Sequence, residues 1–318
     1  MNVGMWWKAV RVIPRIDKEE WQRLDVVARW LISTRAAVLL MTFISAALAG
    51  LFALRDGQFD LGRWALLALG LVFAHATNNL VNDFTDFKRG VDKDNYFRTQ
   101  YGPQPIEQGL MTQRELFAYI AFSGLVAVAA GIPLVIYGGT TALILMALGI
   151  LFVLFYTWPL KYIGLGEVAV ALAWWLVVLG ADYVQRRQFF VIPAATAASF
   201  ALLAANILLA NGFPDAAADA RVGKKTLVVR LGARRAAWAY LLIALLAHGW
   251  LALAVWLLIP PDRALWGLVS LPLSLAAGAL LLRHAGQPQR LRPAIVLTIA
   301  AALVHALAIA AALASMAR

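Results

Sequence analysis

Runs of about 20 mostly apolar residues, each able to carry a helix across a hydrocarbon core roughly 30 Å thick, recur from Trp30 almost to the C-terminus. Nine can be placed, at about 31–54, 62–82, 116–137, 140–158, 166–184, 189–211, 236–259, 264–282 and 294–316. In lipid a backbone must satisfy its own hydrogen bonds, so runs of this length span as helices. The fold class expected is therefore all-α: a polytopic membrane protein of about nine transmembrane helices. With 62% hydrophobic and 14% charged residues over 318 positions, no composition shift marks a second, soluble domain.

The first 29 residues read differently. Trp6, Trp7 and Trp21 are mixed with Lys8, Arg11, Arg15, Lys18 and Arg23, without the short apolar core and cleavage site of a secretory signal. That mixture suits a segment lying on the membrane interface. Residues 1–29 are thus expected to be interfacial and 30–318 to form one transmembrane domain. Cysteine is absent, which removes disulfides and thiolate metal sites, and the four histidines (His75, His248, His284, His305) lack ligand spacing. The net charge of +11 fits cytoplasmic loops on anionic lipid. No soluble basic domain exists to grip nucleic acid, so no nucleic-acid partner is expected. With the N-terminus inside, all but six of the 28 lysines and arginines fall on the cytoplasmic side; the exceptions are Arg55, Arg63, Arg186, Arg187, Arg263 and Arg318. The C-terminus then lies outside, and the loops after the second and sixth runs are cytoplasmic.

Those two loops hold eight of the 17 acidic residues. In the first, Asn79, Asp83 and Asp86 fall at i, i+4 and i+7 on one helical face, and Asn82 and Asp86 form a second pair one turn apart. Gly90 is expected to end the helix and leave Asp92 on the loop. In the second, Asp215 and Asp219 are one turn apart, and Asn211 lies a turn earlier across Gly212 and Pro214. Proline removes a helix hydrogen bond, so a kink or a fresh helix start is expected at Pro214. The similar asparagine-led acidic stretches suggest an internal duplication. Carboxylates beside hydrocarbon are costly, by roughly 2.5–3.5 kcal/mol at a helix centre, and mark functional sites. Mg²⁺ takes oxygen ligands from one or two carboxylates plus substrate phosphates, so two such clusters on facing helices suit a metal–diphosphate site.

These residues resemble the UbiA superfamily of intramembrane prenyltransferases. The stretches Asn82–Asp92 (NDFTDFKRGVD) and Asn211–Gly232 (NGFPDAAADARVGKKTLVVRLG) are similar to its two aspartate-rich motifs. The Gly102-Pro103 turn, Tyr156-Thr157, Gly164-Leu165-Gly166-Glu167 and Gly180–Gln185 are most similar to its menaquinone branch, the 1,4-dihydroxy-2-naphthoate polyprenyltransferases. The resemblance implies a UbiA-type bundle whose cytoplasmic loops cap the active site. It implies Mg²⁺ as cofactor, and a polyprenyl diphosphate, an aromatic acceptor and the lipid bilayer as partners. It also implies a bacterial inner-membrane location.

Under that resemblance the metal ligands are drawn from Asn82, Asp83, Asp86, Asp92, Asp215 and Asp219. Asp86, Asp215, Tyr156 and Lys161 carry the chemistry, and Arg35, Lys88, Arg98, Arg221, Lys224, Asn79 and Asn211 bind substrate. Plainer readings stand beside these. Loop lysines and arginines also serve topology; Tyr156 suits an interfacial belt; Arg35 either meets an acidic group of the acceptor or snorkels to the interface. Trp174 and Trp175 are candidate shields for an allylic cation. Glu167 reads best as an acid favoured by a helix N-terminus. Two alternatives compete: a different acceptor such as 4-hydroxybenzoate, and, from another class, a cation transporter with acids on broken helices near the bilayer midplane.

Overall fold

The computed structural model describes residues 1–91, 93 and 103–316, and every regular element among them is helical. Three short helices, α1 (Val3–Arg11), α2 (Lys18–Gln22) and α3 (Val26–Ser33), precede the long ones. These are α4 (Ala36–Arg55), α5 (Leu61–Lys88), α6 (Gln113–Phe155), α7 (Gly166–Arg186) and α8 (Val191–Arg221). The five-residue α9 (Leu227–Leu231), α10 (Ala233–Trp256), α11 (Leu271–Arg283) and α12 (Arg292–Ala314) complete the chain. Among the described residues, 8 helices are long and apolar enough to cross a membrane. This is an integral membrane protein, as the apolar runs require.

The 43 residues of α6 would stretch to roughly 65 Å if straight, about twice the hydrocarbon thickness. They are not straight: Gly139 has φ 66° and ψ −153°. A Cβ on Gly131 would lie 2.8 Å from Met146 Sδ, whereas in an unbroken helix the two residues would stand roughly 22 Å apart. The element therefore doubles back at Gly139. Its two arms correspond to the runs expected at 116–137 and 140–158.

At Pro214 the expectation of a fresh helix start is corrected. One helix, α8, runs from Val191 to Arg221 through Gly212 and Pro214. Phe213 and Pro214 are both buried in it. Proline inside a membrane helix is tolerated where neighbouring helices enclose it. The interior around α8 is rich in small side chains, among them Ala197, Ala201, Ala204 and Ala205, facing Ala247 on α10 and Ala302 and Ala306 on α12. Small residues let helices approach closely, which in lipid replaces the hydrophobic drive. Polar links add to this. Asn206 Nδ2 donates to Tyr240 O at 3.0 Å, Trp250 Nε1 to Ala195 O at 2.8 Å, and Tyr183 Oη to Gly138 O at 3.0 Å.

The N-terminal helices form a small core of their own. Ala9, Trp21, Leu24, Ala28 and Ile32 cluster with Leu80 of α5, Leu116 of α6 and Met111 before it. Asp25 caps α3 by accepting from Ala28 N at 2.8 Å, and also accepts from Trp6 Nε1 at 2.9 Å. The segment thus straps the end of α5 that bears the first acidic motif.

Candidate active site

Two helix ends build the site, and they end alike. In α5 the left-handed Gly90 (φ 68°) closes the helix, and Val91 N donates back to Asp86 O at 3.0 Å. In α8 Gly223 (φ 74°) does the same, and Lys224 N donates to Asp219 O at 2.9 Å. A glycine in this conformation avoids the Cβ clash that any other residue would meet. The matched series is Asn78, Asn82, Asp86, Gly90 against Asn211, Asp215, Asp219, Gly223, four residues apart throughout. The duplication suggested by the sequence therefore extends to backbone geometry.

Lys224 is where the two motifs meet. Its Nζ lies 3.2 Å from Asp86 Oδ1 and 3.2 Å from Asp219 Oδ1, and its side chain is only 2% exposed. Asp86 also accepts from Asn82 Nδ2 at 3.3 Å and from Tyr162 Oη at 3.4 Å. Tyr162 presents its ring to Lys224 Nζ at 5.1 Å and to the Arg89 guanidinium at 4.8 Å; Arg89 also lies 4.9 Å over Trp158. Burial, and then the Asp86 carboxylate, push the Tyr162 phenol up, so it stays protonated and donates.

Asp83 points to a different partner. It pairs with Arg35, which sits in the break between α3 and α4 with φ 55°. Left-handed backbone is rare outside glycine and clusters at functional sites. The break frees the Thr34 carbonyl, and Asn79 Nδ2 takes it at 2.8 Å. So Asn79, Asp83 and Asp86, which share one helical face, divide between the helix break and the second motif.

The turn from Tyr156 to Leu165 closes the site. Lys225 N donates to Tyr162 O at 2.9 Å, and Arg230 Nη2 to Ile163 O at 2.6 Å. At Gly164 a Cβ would fall 2.6 Å from Lys225 O, so only glycine allows the turn and the second motif to approach this closely. Thr157 Oγ1 donates to Asn82 Oδ1 at 3.2 Å. Tyr156 is half-buried, with Lys161 Nζ 6.0 Å over its ring.

A cavity of about 600 Å³ runs away from this cluster, bounded by Asn79 and Tyr156 at one end and by Leu67, Leu134 and Val184 at the other. From Asn79 to Leu67 along α5 is roughly 18 Å. The walls are mostly apolar, with Thr42, Thr77, Asn78 and His75 as polar lining residues; His75 Nδ1 is 2.7 Å from Thr42 Oγ1 and its ring meets Trp174 edge-on. Trp174 lines the cavity, whereas Trp175 is tied through Nε1 to Ala194 O at 2.8 Å.

The remaining expected residues fall outside this core. Lys88 is exposed, with Nζ 5.5 Å over Phe84, and its neighbour Arg89 takes the position over Tyr162 instead. Arg221 is exposed and donates to Lys93 O. Asp215 and Asn211 are half-buried, one and two turns before Asp219. Glu167 is buried in the first turn of α7. Asp92 and Arg98 lie outside the described residues. Tyr162, absent from the sequence expectations, contacts both motifs, Asp86 through its hydroxyl and Lys224 through its ring.

Among the described residues no three His, Cys, Asp or Glu side chains converge into a ready-made metal cage. The donor set still suits a hard divalent cation: buried carboxylates from two helices, with substrate phosphates able to complete the shell. Asp219 Oδ1 is buried and, despite its ion-pair contact with Lys224, accepts no aligned hydrogen bond. An acceptor oxygen kept in that state fits a metal ligand.

The model of the UbiA prenyltransferase family matches residues 43–294. The chain belongs to the UbiA prenyltransferase family. It is accordingly a membrane-embedded prenyltransferase. A 1,4-dihydroxy-2-naphthoate octaprenyltransferase of Mycobacterium tuberculosis is 34% identical over 257 residues, covering 79% of this chain and 85% of the relative. The Escherichia coli protein of that name is 31% identical over 224 residues, covering 66% and 71%. The apo structure of a UbiA homolog from Aeropyrum pernix shares the fold, with a TM-score of 0.68 and 19% identity over 85% of this chain and 97% of that one. A UbiA homolog from Archaeoglobus fulgidus bound to GPP and Mg²⁺ superposes with a TM-score of 0.59 and 17% identity, over 88% and 99%.

Proposed function

We propose that this UbiA-family enzyme transfers a polyprenyl group from its diphosphate to 1,4-dihydroxy-2-naphthoate, with Mg²⁺ held by aspartates of both motifs. The observation that carries the reading is the meeting of the motifs on one point: Asp86 and Asp219 share the Lys224 ammonium. Tyr156, whose neighbour Thr157 donates to Asn82 of the first motif, lines the apolar cavity. A diphosphate head would bind at that end, with its tail along α5, α6 and α7. The motif carboxylates lie in the last two turns of α5 and α8. A cation transporter would instead keep its acids near the membrane middle. The acceptor assignment is supported by the two relatives named for dihydroxynaphthoate.

In this reading Asp86, Asp219 and Asp215, with Asn82, hold the metal, and Asp83 keeps Arg35 in place. Mg²⁺, when bound, neutralises charge developing on the leaving diphosphate. Lys224 and Arg89 neutralise further diphosphate oxygens, as charge-assisted donors. The allylic carbon–oxygen bond breaks, and its electron pair leaves with the diphosphate. Tyr156 and Trp174 shield the carbocation with their ring faces, while the apolar walls exclude water. Arg35 receives the acceptor's carboxylate, the ring carbon bearing that group attacks, and CO₂ departs as the new carbon–carbon bond is kept. In this reading the two arms of α6 are separate spans, making nine crossings, and the bias of lysine and arginine puts the N-terminus and both motifs on the cytoplasmic side. α1 lies on that interface, exposing Val3 and Trp7.

Membranes containing the protein, given labelled prenyl diphosphate and either dihydroxynaphthoate or 4-hydroxybenzoate, test the assignment. Product with dihydroxynaphthoate that is lost in EDTA is expected. Product with hydroxybenzoate alone would retain the chemistry and refute the acceptor.

A further inference from the structure

We infer that Lys224 is a tethered placeholder for the divalent cation, so that the site takes up metal strongly only together with a diphosphate. The inference rests on the metal–diphosphate reading of the two motifs and adds an order of binding to it.

The position of the lysine is fixed from its backbone outward. Its amide is anchored in the cap of α8, bonded to Asp219 O, and the next amide is bonded to Tyr162 O. Only the side chain is free to move. That side chain is buried, with Nζ at 3.2 Å from one carboxylate oxygen of each motif and its charge over the Tyr162 ring. The two carboxylate oxygens therefore lie no more than twice that distance apart, with a positive charge already between them. A metal ion entering alone meets like-charge repulsion, and it can recruit both oxygens only by evicting the ammonium. An evicted lysine in this buried position would be left without its counter-charges, which is costly. Diphosphate removes that obstacle, because its oxygens accept the displaced ammonium while the carboxylates turn to the metal. Lysine suits this task better than arginine would, being a compact point charge on a flexible stem.

The test is Mn²⁺ binding, followed by the electron paramagnetic resonance signal of the free ion, on purified protein in detergent micelles. Wild type, Lys224→Met, Lys224→Gln and Lys224→Arg are compared, each with and without an unreactive prenyl thiodiphosphate. Two neutral variants are used so that one poorly folded protein does not decide the outcome, and all four are taken from monodisperse fractions. Without the analogue, both neutral variants should bind Mn²⁺ at least about tenfold more tightly than wild type, and Lys224→Arg should bind as weakly as wild type. The analogue should tighten wild-type binding by clearly more than it tightens the neutral variants, which have no ammonium to displace. Neutral variants that bind Mn²⁺ no more tightly than wild type overturn the inference. Mn²⁺ uptake by none of the four, with or without analogue, overturns the metal reading itself and the inference with it.

Discussion

Asp86 and Asp219 act on the same ammonium, and this makes their substitution strongly non-additive in a calculable way. At 3.2 Å a pair of unit charges interacts by roughly 5 kcal/mol at an effective dielectric constant of 20. In Asp86→Asn or Asp219→Asn, Lys224 keeps one carboxylate, and the isosteric amide keeps the packing. Stability should change by about 1 kcal/mol in either single variant, an ordinary value for one polar contact. Transfer should nevertheless fall by a factor of about 100 to 1,000 in each, the usual cost of removing one electrostatic stabiliser. The double variant leaves a buried ammonium without either carboxylate, and should lose about 3–5 kcal/mol of stability. Adding Lys224→Met to the double variant should restore most of that stability and none of the transfer. Reversible unfolding of the purified proteins in micelles, with transfer rates per folded molecule, reads all of this. A double variant as stable as either single one would refute the reasoning, as would a triple variant no more stable than the double.

Three further outcomes are expected. Tyr162→Phe keeps the ring beneath Lys224 and Arg89 but loses the long hydrogen bond to Asp86, so kcat/KM should drop by no more than about tenfold. Because burial and Asp86 raise the phenol's pKa, the neutral form prevails in the fold, and its stabilising effect is complete below the unfolded value of about 10 and lost only above it; pH–rate profiles of wild type and Tyr162→Phe should therefore run parallel below about pH 10. Gly180→Phe places a ring in the cavity where a Cβ meets only Leu145, at 3.7 and 3.9 Å; transfer from long donors should fall relative to geranyl diphosphate, with competition assays reading the ratio. Finally, Arg186 is wholly buried and paired with Asp182 at 2.6 Å and with Asp56, at the opposite end of α7 from the site. Arg186→Leu should cost about 3–5 kcal/mol of stability and leave the transfer rate per folded molecule unchanged.

The sequence declared most of the fold because lipid imposes a length on each element. Apolar runs of about 20 residues have one solution, and even the two runs separated only by Gly138 and Gly139 resolve into separate arms. The acidic motifs were legible for a related reason: carboxylates at helical spacing beside hydrocarbon demand a purpose. Pro214 misled, because local propensity says helix breaker while the packing of Phe213 and Pro214 in the interior keeps α8 whole. For the N-terminal segment, composition named one partner and the structure shows another. Tryptophans and basic residues suit a membrane surface, yet Trp21 is buried against the protein's own helices, and composition does not distinguish lipid from protein as the partner. Tyr162 and Arg89 were missed because their roles depend on the Tyr156–Leu165 turn meeting the end of α5, about seventy residues earlier, and the loop after α8, about sixty residues later, which no periodicity encodes. The pairing of Gly164 with Gly166 was the one local signal that something approaches that turn closely.

The most direct measurement of the account follows CO₂ from 1,4-dihydroxy-2-naphthoate labelled in its carboxyl group, using purified enzyme, polyprenyl diphosphate and Mg²⁺. The account predicts labelled CO₂ released one for one with pyrophosphate, and neither released in EDTA or by the Asp86→Asn and Asp219→Asn variants beyond their residual rates. Pyrophosphate release with a prenylated product that retains the label would contradict it, since the acceptor carbon would then be one that does not bear the carboxyl group.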